Sequence, residues 1–390
     1  KMKVLIFTPQ FHQLGGAERS VVELAVELNK RGIHTDILSM YTEDIPGVDK
    51  AKRYLLKEGI PAVHFLGMHV HPTIVSMFPA IMRLRRLVYE EGYDVIETSM
   101  LSPSVIASWA LKGLRAVHVV GIRCVYMRNR EVSKQHKFFK FSVRFNSRVR
   151  YYAITDYTRE KWIKYSRTLP EKSRTIHNSI PDSFFNVRVN RNELRQELGI
   201  PEDACLAIYV GRCAAYKGID TLLNALGPIL VRNNMYLLYV GSPDFGVAGT
   251  ETMLKQMKTL ISSENWNEVV RFLGQRHDIP NILASADVLV HVTRTEAFGR
   301  TLAEAMAVGL PVVASNVEAV PEVLEGSDSI MVPADDPVAL RQAVLKTLHR
   351  NPSEVACAIE RGRIRAEDFR IGRRTDAMIE LFKDVLSNRF

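Results

Sequence analysis

The stretch Val288-Leu289-Val290-His291-Val292-Thr293-Arg294-Thr295-Glu296-Ala297-Phe298-Gly299-Arg300-Thr301-Leu302-Ala303-Glu304-Ala305-Met306-Ala307 opens on a short apolar run, crosses a polar loop and ends in small and apolar residues. Such an order is that of a strand feeding a helix. It predicts a strand over 288–292, a helix over 298–307, and Glu296 in the loop between them. The same unit recurs along the chain. Strands are expected over 2–8, 35–39, 94–98, 116–121 and 151–155, and then over 205–211, 236–241, 269–273 and 311–314. Helical patterns lie between them, as over 16–31, where Val21, Leu24, Ala25 and Leu28 share one face. Strands alternating with helices of this length imply parallel sheets with right-handed crossovers.

A chain of 390 residues exceeds one ordinary core and suits two α/β domains, and 46% hydrophobic residues can fill both. The break is expected at the turn-forming cluster Asn178-Ser179-Ile180-Pro181-Asp182, after a strand over 175–177. The first domain then spans 1–181, completed by a last helix within 375–390 that follows the breaker Gly372, and the second spans 182–374. Ligands of open parallel sheets bind beyond the carboxyl ends of the strands. Two Rossmann-like domains facing across a cleft would therefore line it with their strand-to-helix loops.

The stretch Gly211-Arg212-Cys213-Ala214-Ala215-Tyr216-Lys217-Gly218 also follows a strand. Arg212 offers a planar fork and Lys217 a point charge, a pair suited to a diphosphate. In the opening stretch, the helix start at Phe298, Gly299, Arg300 and Thr301 would add backbone amides and the positive end of a dipole. Glu304, flanked by small residues, could accept the hydroxyls of a ribose, and Glu296 those of a second sugar. Gly15 and Gly16, in Gln13-Leu14-Gly15-Gly16-Ala17-Glu18, allow close backbone approach ahead of another helix.

Together these motifs resemble glycosyltransferase family 4, whose members are retaining enzymes of GT-B fold. Gly211-Arg212 to Lys217-Gly218 is similar to the family's GR-x4-KG, and Glu296 to Glu304 to its E-x7-E. Phe272-Leu273-Gly274, Gly309-Leu310-Pro311-Val312-Val313-Ala314, Val320-Pro321-Glu322, Gly15-Gly16-Ala17-Glu18 and Ala153-Ile154-Thr155 resemble further pieces. The resemblance implies a hexosyltransferase-type enzyme that moves a sugar from a nucleotide-sugar, such as a UDP- or GDP-sugar, to an acceptor. Arg212, Lys217 and Glu296 would be catalytic. Gly16, Phe298, Gly299, Arg300, Thr301 and Glu304 would join them in binding the donor. No DxD occurs, and the resemblance implies neither metal nor cofactor. Arg123 stands roughly where many relatives carry a His after a strand, so Gly15 and Arg123 are acceptor-side candidates, while His118 is expected in the core. Asn178-Ser179 replaces the usual Asn-Gly, and Glu318-Ala319 replaces glycines before Val320. Two alternatives stay open: a GT-B nucleotide-sugar epimerase or sugar phosphorylase, and a non-catalytic subunit that keeps the fold.

Net charge is +9, unevenly spread: residues 1–180 hold 29 Lys and Arg against 16 Asp and Glu. Residues 123–150 alone carry Arg123, Arg128, Arg130, Lys134, Lys137, Lys140, Arg144, Arg148 and Arg150 against Glu131, with five aromatic residues interleaved. That pattern suits an anionic membrane surface, and with it a lipid-linked or anionic saccharide acceptor in polysaccharide biosynthesis. Arg83, Arg85 and Arg86 could extend it. A solvated helix packing its aromatics inward fits equally, and no motif for nucleic acid accompanies the charge. The first residues read as a strand rather than a leader, no run reaches membrane-spanning length, and Cys124, Cys205, Cys213 and Cys357 lack metal or disulfide spacing. The expectation is a cytoplasmic protein, peripheral at a membrane.

Overall fold

The computed structural model describes residues 2–11, 15–68, 74–125, 141–143, 149–187, 191–241 and 249–387. The chain divides into two compact units, one of Lys1–Ser179 with Ile371–Phe390, the other of Ile180–Arg370. The first holds β1 (Lys3–Thr8), β2 (His34–Tyr41), β3 (Val63–Met68), β4 (Val95–Thr98), β5 (Val117–Ile122), β6 (Val149–Ala153) and β7 (Ser173–Thr175). They form one parallel sheet in the order β3-β2-β1-β4-β5-β6-β7, with Val4 beside both Thr35 and Val95. The second holds β8 (Cys205–Val210), β9 (Met235–Val240), β10 (Val270–Gly274), β11 (Val288–His291), β12 (Val312–Ser315) and β13 (Ile330–Val332). Their order is β10-β9-β8-β11-β12-β13, again parallel throughout.

Helices cover both faces of such sheets, so central strands are buried on both sides and read as unbroken apolar runs. All six residues of β5 and all four of β11 are buried. In the first unit Leu5, Phe7, Leu38, Ile96 and Ile106 form one core, and Trp162 packs against Tyr151 and Tyr165 in another. In the second, Tyr209 and Tyr239 stack with ring centres 5.2 Å apart among Leu222, Leu226 and Val290.

Several boundaries differ from the expected ones for local reasons. The strand expected over 151–155 ends at Ala153, because the Thr155 hydroxyl accepts from the Thr158 amide at 3.2 Å and caps the helix Asp156–Ser166. The strand expected over 175–177 is β7, two residues earlier. The last helix runs Ile371–Ser387 and takes Gly372 into its first turn rather than starting after it. There a glycine costs less than in a helix interior, since the first amides have no partner one turn back. The unit boundaries accordingly lie at Ser179/Ile180 and Arg370/Ile371. β3 and β13 were not expected. Both are edge strands, half-exposed and short of the apolar pattern that marks a central one.

Both sheets reverse their order of growth at one point, between β1 and β4 and between β8 and β11. Loops leaving those strands diverge there and open a crevice at the carboxyl edge. A buried charge anchors the opposite edge in the second unit. Arg195, 1% exposed, donates to Asp287 Oδ2 at 2.9 Å, which also takes the Leu206 amide of β8 at 2.7 Å. Replacing Asp287 with Ala is expected to strand that guanidinium and to cost about 3 kcal/mol, read by urea unfolding of the whole chain.

Candidate functional site

In the second unit, the loops at the switch point are 211–218, after β8, and 292–299, after β11. They are tied together by their own backbones. The Arg294 amide donates to the Tyr216 carbonyl at 2.8 Å, and the Thr293 hydroxyl to the same oxygen at 3.3 Å. The Arg294 guanidinium reaches the Ala215 carbonyl, Asp220 Oδ2 at 2.7 Å and Asp335 Oδ1 at 2.8 Å. The two motifs, nearly eighty residues apart in sequence, thus form one rigid edge.

Glu296 lies at its centre. Lys217 Nζ donates to Glu296 Oε2 at 2.6 Å, with both side chains about 15% exposed. His291 Nε2, from the end of β11, stands 3.5 Å from the same oxygen and is buried with no hydrogen-bond partner. Burial by itself would push the Glu296 carboxyl up. Lys217 and then His291 overcome that and hold it well below the ordinary carboxylate range. Tyr216 joins the two cations of the motif. Its hydroxyl accepts from Arg212 Nη2 at 2.7 Å, and Lys217 Nζ sits 5.4 Å from its ring centre.

Glu318 holds the Glu296 loop from behind. One carboxylate oxygen accepts the Glu296 amide at 2.8 Å and the Thr295 hydroxyl at 2.6 Å, and the Glu296 carbonyl accepts the Ala319 amide at 3.3 Å. Glu318 does this from φ 46°, a left-handed conformation that costs a side-chain-bearing residue roughly 1–2 kcal/mol. In sequence it was visible only as a residue in place of glycine.

The helix after the loop is Arg300–Val308 and begins two residues later than expected. Gly299 precedes it at φ 78°, where a Cβ would lie 2.8 Å from Leu302 Cδ1. Its first amides therefore belong to Arg300 and Thr301. The Phe298 side chain is not available to a ligand. It is 2% exposed and meets Phe369 edge-on with centres 5.1 Å apart, so only its backbone remains. Glu304 is buried rather than solvated and lies 3.4 Å from Arg300 Nε.

The first-unit candidates form a separate group. Gly15 caps the helix Gly16–Lys30, and a Cβ there would fall 2.7 Å from Glu18 Oε2, which folds back over the helix start. Arg123, half-buried after β5, donates to Ser20 Oγ at 3.1 Å and Tyr152 Oη at 2.9 Å. His118 is a core residue, as expected. It bonds the Thr98 hydroxyl at 2.9 Å, and burial lowers its pKa to about 3, which keeps it neutral. Residues 126–140 and 144–148 of the basic stretch, and Gln13 and Leu14, lie outside the described residues. Among the described residues no helix is long and apolar enough to cross a membrane.

Residues 14–184 match the family model described as Glycosyltransferase Family 4, and residues 190–364 the model described as Glycosyl transferases group 1. The D-inositol 3-phosphate glycosyltransferase of Saccharomonospora viridis is 25% identical over 97% of this chain and 91% of its own. The N-acetyl-alpha-D-glucosaminyl L-malate synthase of Bacillus anthracis is 23% identical over 91% of each chain. Anabaena HepE, solved in complex with UDP-glucose, superposes with a TM-score of 0.82 at 19% identity, over 98% of this chain and 100% of its own. At that identity the likeness is one of fold.

Two outcomes follow from this geometry. Lys217→Met removes the main opposition to burial, so the Glu296 carboxyl should titrate well above its position in the wild type, as followed by carbon NMR of labelled glutamate. Glu318→Ala should speed hydrogen exchange at the Glu296 amide and lower stability by about 1–3 kcal/mol, since the alanine Cβ leaves the strain at φ 46° in place.

Proposed function

Since the chain belongs to glycosyltransferase family 4 and has the GT-B fold, we propose that the loops around Glu296 hold a nucleotide-sugar donor whose sugar passes, with retention, to an acceptor bearing a negative charge. The observation that carries this reading is the largely buried Lys217–Glu296 pair at the switch point, 2.6 Å apart, with Arg212 joined to it through Tyr216. A lysine buried with one carboxylate is a cation held ready for a stronger anion. A diphosphate brings more charge than Glu296 and draws Lys217 and Arg212 onto itself, with the first amides of the helix Arg300–Val308 closing the shell.

Glu296 then keeps His291 beside it and is left to accept hydroxyls of the transferred sugar. Its carboxylate also faces the positive charge that grows on that sugar as the bond to phosphate breaks. Arg212, Lys217 and the helix amides stabilise the opposite charge on the departing nucleotide, which is the larger catalytic effect. Glu304, buried among small side chains, takes the ribose hydroxyls after Arg300 yields its oxygen. The acceptor attacks from the face the nucleotide leaves. These residues supply the charge stabilisation without a metal ion.

For the acceptor, the support is twofold. The two relatives above carry names whose acceptors, an inositol phosphate and malate, are anionic. The first 180 residues here carry a strong positive excess. An anionic membrane surface, met by residues 123–150 with the protein on the cytoplasmic side, suits the same excess.

Lys217→Ala and Glu296→Gln should each lower transfer from UDP- or GDP-sugars by about 10²–10³-fold with the fold intact by circular dichroism. Wild-type rates in both would overturn the assignment. Transfer should also persist in excess EDTA; its loss there would replace the metal-free reading.

A further inference from the structure

The strands of the first unit carry a second polar cluster at their carboxyl ends. Ser20 Oγ, on the helix after the Gly15 loop, is 0% exposed and accepts from two guanidiniums. Arg374 Nη1 is 2.6 Å away and Arg123 Nη1 3.1 Å away. Arg374 comes from the last helix, is 3% exposed, and also donates to the Ser20 carbonyl at 2.8 Å and Ser179 Oγ at 3.3 Å. Ser20 Oγ itself donates a hydrogen bond to Asn178 Oδ1. On its other side Arg123 donates to Tyr152 Oη, and Tyr152 donates to Glu97 Oε1 at 2.7 Å. Ser99 donates to that same oxygen. A Cβ on Gly121 would come within 2.6 Å of the Tyr152 hydroxyl, so the glycine makes room for the arrangement.

The charges of this cluster do not cancel. Among the described residues two guanidiniums converge on one hydroxyl, and Glu97, whose Oε2 is buried without a hydrogen-bond partner, is joined to Arg123 through the Tyr152 hydroxyl. Arg123 Nε, Arg374 Nε and Arg374 Nη2 are buried without hydrogen-bond partners. Burial, and then the neighbouring Arg123, lower the Arg374 pKa to about 10. Two guanidiniums that share one carboxylate leave a positive charge unbalanced, and a fold retains one where something negative comes to it. Of the two, Arg123 is the half-buried one, so the vacancy in charge opens outward there.

We propose that Arg123, backed by Arg374, forms an oxyanion site that receives the phosphate or carboxylate group of the acceptor. The proposal rests on the transferase reading for the word acceptor, but the site itself stands on the cluster alone. Arg123 binds the anion directly through the Nη hydrogens that Ser20 and Tyr152 do not take, and Arg374 raises the local potential from behind. Ser20 and Tyr152 fix the guanidinium in place.

The test uses inorganic phosphate and malonate as probes, with thermal unfolding of the full chain as the readout. It is done in the Lys217→Ala background, so that the second-unit motif does not contribute. Both probes should raise the apparent Tm in a saturable manner. Arg123→Gln should raise the apparent Kd about ten- to a hundredfold. Tyr152→Phe, which removes a hydrogen bond to Arg123 but keeps its charge, should retain the response. Should Arg374→Gln fail to fold, the Arg123 and Tyr152 variants still decide the matter. No response in the Lys217→Ala background, or one that Arg123→Gln leaves unchanged, overturns the site. UDP, GDP and ADP are tested alongside with Lys217 intact. If none of them stabilises the chain while phosphate still acts through Arg123, the donor reading falls and the oxyanion site stands. If they act and phosphate does not, the reverse holds.

Discussion

A carboxylate taken out of water must find a cation, and at Glu296 that requirement shapes everything near it. Lys217 supplies the charge at 2.6 Å, His291 stands behind, and the loop that carries Glu296 is fixed by Glu318 and Arg294 so that the three meet. Loosening any of these supports would leave the acid either solvated or protonated. In the proposed reading the pair is also what lets the site respond to a ligand. An ammonium held by a single carboxylate has donors to spare, and a diphosphate offers it more acceptors than Glu296 does.

Much of the fold was legible because its central strands are unbroken apolar runs and its helices have one apolar face. Those patterns are imposed by a sheet covered on both sides. β3 and β13, at the edges, are covered less and carry weaker patterns. The last helix was read as starting after Gly372 because a glycine looks like a stop, yet in a first turn it is not one. Of the candidate site, Arg212, Lys217, Glu296 and Glu304 could be singled out from spacing around strand ends. Phe298 could not, since nothing in a sequence tells a ring at a helix start whether it faces a ligand or a core.

His291 and Glu318 were missed for different reasons. His291 ends a strand whose other residues are all apolar, and one histidine in such a run is more often a core residue. A polar residue closing a strand just ahead of the Glu296 loop was the available signal. Glu318 was noticed only as a glycine replaced. That a carboxylate there would reach back to an amide twenty-two residues earlier depends on a turn at φ 46°, and spacing does not reveal it. The Glu97, Tyr152, Arg123 and Arg374 cluster draws on four elements separated by up to 277 positions, and only topology brings them together.

The first unit is built from two segments that flank the second in sequence, with the helix Ile371–Ser387 lying on the helix Gly16–Lys30 and Arg374 bonded to Ser20. During synthesis its segment Lys1–Ser179 emerges ahead of the second unit and its closing helix only after that unit. The unit formed by Ile180–Arg370 is whole once the ribosome has released it, and is free to fold while its predecessor still waits for a missing helix. Until then the face around Ser20 lacks its cover. A nascent chain stalled, or cut, within the helix Ile371–Ser387 would therefore be defective in a unit whose sheet was made earlier.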